Sequence, residues 1–114
     1  MKEIKAYFRP ACLDSILDVL EEAGATAVTV IRVDALGRLA DPENDQHHLV
    51  RKYREKYSAV VKLELVCKDE DASRFAEIIR EGASTGKPGD GRIFVHNIET
   101  AINIRTGVTG ESTL

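Results

Sequence analysis

Long apolar runs are missing from this chain, and no stretch of it could span a membrane as a helix. The first residues, Met1 to Phe8, are interrupted by charge and form no signal-peptide core, so a cytoplasmic location without direct membrane insertion is the expectation. There is no basic block, and the net charge is −3, which argues against a nucleic-acid partner. Cysteine is scarce. Cys12 and Cys67 lie far apart in apolar contexts with no Cys-x-x-Cys, so buried thiols are expected rather than a disulfide or a metal pair. The 114 residues suffice for one small domain with a modest core.

What is present is ordered by period. Ile4, Ala6 and Phe8 alternate with Glu3, Lys5 and Tyr7, which predicts a strand with one buried face. Pro10 suits a helix start, and Leu13, Ile16, Leu17 and Leu20 form one helical stripe that Gly24 can cap. Ala27 to Leu36 is a β-branched run and reads as a second strand. From Leu39 to Lys56 periodicity is lost, and polar residues gather into a long mobile loop. Ser58 to Cys67 alternates again, with Val61, Leu63, Leu65 and Cys67 on one face. A second helix is expected from about Asp69 to the Gly82–Ser84 region, with Ala72, Phe75, Ala76 and Ile79 inward. Arg92 to His96 predicts a fourth strand, and Ala101 to Arg105 a short fifth.

This order is the split βαβ plan. The fold expected is α+β, a ferredoxin-like βαββαβ sandwich in which both helices cover one face of an antiparallel sheet. The other face would carry Tyr7, Thr29, Ile31, Lys62, Glu64 and Val66, a partly apolar surface suited to burial in an oligomer.

One stretch carries the chemistry: Thr85-Gly86-Lys87-Pro88-Gly89-Asp90-Gly91-Arg92, running into Ile93-Phe94-Val95. Its glycines permit positive φ, so backbone N–H groups can converge into an anion-binding nest, flanked here by Lys87 and Arg92. It is not a Walker loop, because no Gly-Lys-Ser/Thr closes onto a helix. A purely geometric tight turn is the other reading of the octamer taken alone.

The stretch from Thr85 to Leu114, with its Ile102-Asn103-Ile104-Arg105-Thr106-Gly107 sequel, resembles the C-terminal part of the PII signal-transduction family. The opening Met1 to Ala6, Thr29 and the Gly37-Arg38 pair resemble it too, so the likeness covers the chain except about Leu39 to Ala59. It implies a single domain over residues 1–114, a homotrimer with sheets facing inward, and ATP or ADP bound between subunits, with Mg as an accompanying ion. By the same resemblance Lys87, Gly89, Asp90, Gly91, Arg92 and Arg105 would serve the phosphates. Gly37 and Arg38 would join them, and Thr29, Glu64 and Val66 would surround adenine and ribose. Residues 37–57 would be the T-loop, through which such proteins act on a membrane transporter or a metabolic enzyme; Leu39, Asp41, His47, His48 and Tyr53 are its candidate contact residues.

The chain departs from the family pattern at three places. Leu39 stands where the family usually has Gln, Val60 replaces a lysine, and Asn103 replaces an arginine. Lost contacts of this kind to a small dianion each cost on the order of a few kcal/mol. The expectation is nucleotide binding without the family's usual 2-oxoglutarate response, and with less preference for the triphosphate. Tyr53 matches the tyrosine that some members have uridylylated, but its Arg51-Lys52-Tyr53-Arg54 context differs, and a contact role is expected. His47-His48 among Asp41, Glu43 and Asp45 leaves a second reading open: a sensor of bicarbonate or a metal, with the nucleotide accessory. No resident metal site is expected. No nucleophile or acid–base pair accompanies the loop, only Asp90, so the chain is not expected to be an enzyme.

Overall fold

A computed structural model describes residues 1–36 and 57–114. The strands are β1 (Lys2–Phe8), β2 (Thr29–Leu36), β3 (Tyr57–Cys67) and β4 (Gly91–Asn97); the helices are α1 (Leu13–Glu22) and α2 (Asp69–Ala83). The sheet order is β2-β3-β1-β4, and every neighbouring pair is antiparallel. The strands joined through a helix, β1 with β2 and β3 with β4, are each separated by one strand of the other unit. This is the ferredoxin-like arrangement that the element order predicts.

The helix boundaries follow from local chemistry. Pro10 opens a 3-10 turn, Pro10–Cys12, that leads into α1. At the far end the Ala25 N–H reaches the Leu20 carbonyl and the Gly24 N–H that of Glu21, with Gly24 at φ +93°. That is a Schellman motif, and it satisfies carbonyls the helix leaves open. In α2 the first turn holds Asp69, Glu70 and Asp71, at the positive end of the helix dipole. Gly82 lies inside α2 rather than past its end: a Cβ there would stand 2.4 Å from the Ile16 Cγ1, so the glycine marks where the two helices pack closest.

The core sits between the helices and one sheet face. Ile4, Ala6 and Phe8 of β1 and Val61, Leu63, Leu65 and Cys67 of β3 are all buried. Against them pack Leu13, Ile16 and Leu20 of α1, with Ala72, Phe75, Ile79 and Ala83 of α2. Each large aliphatic or aromatic side chain so buried contributes roughly 1.5–3 kcal/mol. Among the described residues no polar side chain is buried. The opposite face stays open, and there Ile31 is 40 % and Phe94 49 % exposed.

The fifth strand expected at Ala101–Arg105 is not formed. Only one bridge remains, Ile102 with Thr109. Asn103 reverses the chain instead: its side-chain oxygen accepts from the Thr106 N–H at 3.0 Å and its carbonyl from the Gly107 N–H at 2.8 Å. An Asx turn followed by a glycine at φ +72° leaves no room for a ladder. Ile102 and Ile104, whose alternation suggested a strand, are 63 % and 102 % exposed.

Candidate functional site

The Gly-rich loop joins α2 to β4 and sits at the Phe8 end of the sheet, since Gly91 pairs with Phe8 and Arg92 with Tyr7. Gly86, Gly89 and Gly91 have φ of +80°, +94° and +118°, a region that side chains rarely enter. Gly91 has a further reason to lack one. A Cβ there would fall 1.7 Å from the Tyr7 carbonyl oxygen. The loop therefore lies flat on the end of β1.

Asp90 is the knot of this loop. Its carboxylate accepts from the Thr85 N–H at 2.7 Å and the Gly86 N–H at 3.0 Å, as well as from the Thr85 hydroxyl. The Arg9 guanidinium pairs with the same carboxylate and donates to the Pro88 carbonyl at 3.0 Å. Hydrogen bonds from Thr85 above all, helped by Arg9 and Gly86, hold the Asp90 carboxyl well below the usual carboxylate range. The first part of the expected nest is thus filled by the chain's own anion. What the loop can still offer a ligand is further on: among the described residues the N–H groups of Gly89 and Asp90 have no acceptor. Arg92 and Lys87 remain exposed beside them.

Thr29, Glu64 and Val66 gather elsewhere. They line a cavity of about 240 Å³ with Glu3, Thr26, Ala27, Leu65, Thr113 and Leu114. Thr29 pairs with Glu64, and Val66 with Glu3. Glu64 is ion-paired with Lys62 at 2.7 Å; that contact lowers the Glu64 carboxyl and raises the Lys62 ammonium. Along β1 the step from Phe8 beside the loop to Glu3 beside this cavity is five residues, about 17 Å. Arg105 is exposed on the turn after Asn103, in the segment that leaves β4 at the Glu3 end, where the Ile98 N–H bonds the Met1 carbonyl. One chain therefore carries two half-sites at opposite ends of its sheet. The residues expected to meet phosphates in the loop and those expected around a base are not brought together within it.

The positions Gly37, Arg38, Leu39, Asp41, His47, His48 and Tyr53 lie outside the described residues. Among the described residues no cluster of His, Cys, Asp or Glu could hold a metal, and no helix is long and apolar enough to cross a membrane. Sequence reading missed Arg9. Its partner is 81 positions away, and nothing local marks it. It also missed Thr113 and Leu114, which belong to no motif.

Similarity to known proteins bears on this geometry. Residues 1–108 match the family model described as nitrogen regulatory protein P-II. The chain is 40 % identical over 112 residues to a nitrogen regulatory protein P-II of Rhizobium meliloti, covering 96 % of both chains. To the protein of the same name from Rhodobacter capsulatus it is 41 % identical over 113 residues, 97 % of each. The nitrogen regulatory protein P-II 2 of Methanothermobacter thermautotrophicus is 38 % identical over 112 residues, 97 % of this chain and 95 % of its own. With an antiparallel four-stranded sheet, two helices on one face and the Gly-rich loop at the head of β4, the chain belongs to the nitrogen regulatory protein P-II family.

Proposed function

We propose that this protein is a cytoplasmic, non-catalytic signalling trimer that binds ATP or ADP, with Mg, in clefts between its subunits. The separation of the two half-sites carries the reading. A nucleotide that touches both the Gly89–Arg92 backbone and the Thr29–Glu64–Val66 cavity needs two copies of the chain. The exposed Ile31 and Phe94 on the open sheet face, and Ile102 and Ile104 beyond β4, are apolar surface that such assembly would cover. Loop N–H groups and the guanidiniums of Arg92 and Arg105 suit a polyphosphate. Nucleotide occupancy would order or release residues 37–57, which then engage or leave a membrane transporter or a metabolic enzyme.

Effector logic is where this chain departs from its family. Asn103 is committed to its turn, and Leu39 and Val60 offer no ligand atom, so 2-oxoglutarate is not bound in the usual way. Calorimetric titration with Mg-ATP, with and without 2-oxoglutarate, tests both statements. ATP binding that 2-oxoglutarate leaves unchanged supports them. Strengthening by 2-oxoglutarate overturns the second, and no heat with ATP, ADP or AMP overturns the first.

A further inference from the structure

The cavity that gathers Thr29, Glu64 and Val66 has a wall supplied from the far end of the sequence. Thr113 and Leu114 line it opposite the sheet residues. Leu114 also lines a neighbouring cavity of about 150 Å³ that shares Thr26, Ala27, Leu65 and Val66 with the first. Its side chain therefore stands between two hollows, 37 % exposed, on a segment that is held in place. Gly110, at φ +90°, turns the chain into the 3-10 turn Glu111–Thr113. The Thr113 N–H and hydroxyl both donate to the Gly110 carbonyl, at 3.0 and 2.8 Å. The Leu114 N–H donates to Glu111 at 3.1 Å, and Glu111 faces Lys68 at 3.8 Å. The Gly110 N–H returns to the Ala101 carbonyl at 2.9 Å, which fixes this turn to the start of the Arg105 hairpin.

The lining says which part of a ligand belongs there. Its ionisable groups are Glu3 and Glu64, both carboxylates. They repel phosphate and can accept hydrogen bonds from hydroxyl or amino groups. Hydroxyls of Thr26, Thr29 and Thr113 add donors and acceptors, while Ala27, Leu65, Val66 and Leu114 form apolar walls. A flat, uncharged heteroaromatic ring carrying a sugar fits that set, and the phosphate end does not.

We propose that Leu114, positioned by the Gly110–Thr113 turn, is the apolar wall against which the base of a bound purine nucleotide packs. This rests on the nucleotide-binding reading above and adds a contact residue to it. The full chain, Leu114→Ala and Leu114→Met are titrated with Mg-ATP, and inorganic tripolyphosphate is titrated as a displacer of a fluorescent ATP analogue. Losing three carbons of packing against the base should weaken ATP binding roughly five- to twentyfold in Leu114→Ala. Leu114→Met should stay within about twofold. Tripolyphosphate, which has no base, should bind all three proteins alike. If Leu114→Ala binds ATP as the parent does, or if ATP and tripolyphosphate weaken together, the inference is overturned. Because Leu114 is part-exposed, equal melting temperatures are expected, and the methionine variant separates a packing effect from a folding one. Failure of the parent to bind ATP would remove the nucleotide reading and this inference together; failure in the variants alone removes only this one.

Discussion

The guanidinium of Arg9 and the carboxylate of Asp90, 81 positions apart in sequence, meet in an ion pair that fastens the Gly-rich loop to the end of β1. Arg9 also holds the Pro88 carbonyl, so it grips the loop at two points. It supports the ligand-binding backbone without being one of its donors. Replacing Arg9 by Ala should weaken nucleotide binding by roughly tenfold, as loss of a supporting contact commonly does. Arg9→Lys keeps the charge but cannot span both partners, and should fall between. Calorimetry with Mg-ATP reads this directly.

Gly91 tests the backbone. A side chain there meets the Tyr7 carbonyl at 1.7 Å and must hold φ at +118°. Gly91→Ala should therefore cost about 2–4 kcal/mol of stability, read as a lowered denaturation midpoint. Gly107→Ala is the control. It also sits at positive φ but with nothing within 4 Å, so only the strain remains, about 1 kcal/mol.

Asp90 sets the loop's response to acid. A carboxyl whose folded value lies below its ordinary one contributes stability that is complete above the ordinary value. It is lost only as pH falls through the folded value. The ordinary value is about 3.9. The Thr85 and Gly86 amide resonances, whose protons Asp90 accepts, should hence stay fixed between pH 7 and about 4. They should move only in stronger acid. A titration midpoint near 4 or above would contradict the clasp. In Asp90→Asn both resonances should lose their dispersion at neutral pH.

Cys67 is 5 % exposed, and burial pushes its thiol up. Cys12 is only half-buried. A thiol-selective chromogenic reagent at neutral pH should modify Cys12 first and reach Cys67 only with unfolding. The count of fast-reacting thiols should be one per chain in the native state and two in denaturant.

Period carried the fold. The alternation of Ile4, Ala6 and Phe8 and the stripe of Leu13, Ile16 and Leu20 are local consequences of strand and helix geometry, and all six are buried. Where the pattern misled, a local rule lost to a more specific one. Ile102 and Ile104 alternate as a strand does, but the Asn103 side chain and Gly107 turned the chain before a ladder could form. Gly82 looked like a stop signal, yet Ile16, on the other helix, is the reason for it.

The sequence by itself determined the secondary elements, the split βαβ order and the Gly-rich loop, because each rests on contacts or dihedral preferences a few residues apart. Tertiary structure decided what the loop's parts do. Asp90 serves Thr85, Gly86 and Arg9 rather than facing outward. Thr29, Glu64 and Val66 meet Leu114 about 17 Å of strand away from the Gly-rich loop. Those relations join residues dozens of positions apart, and only the antiparallel register that lays β1 between β3 and β4 brings them together or holds them apart.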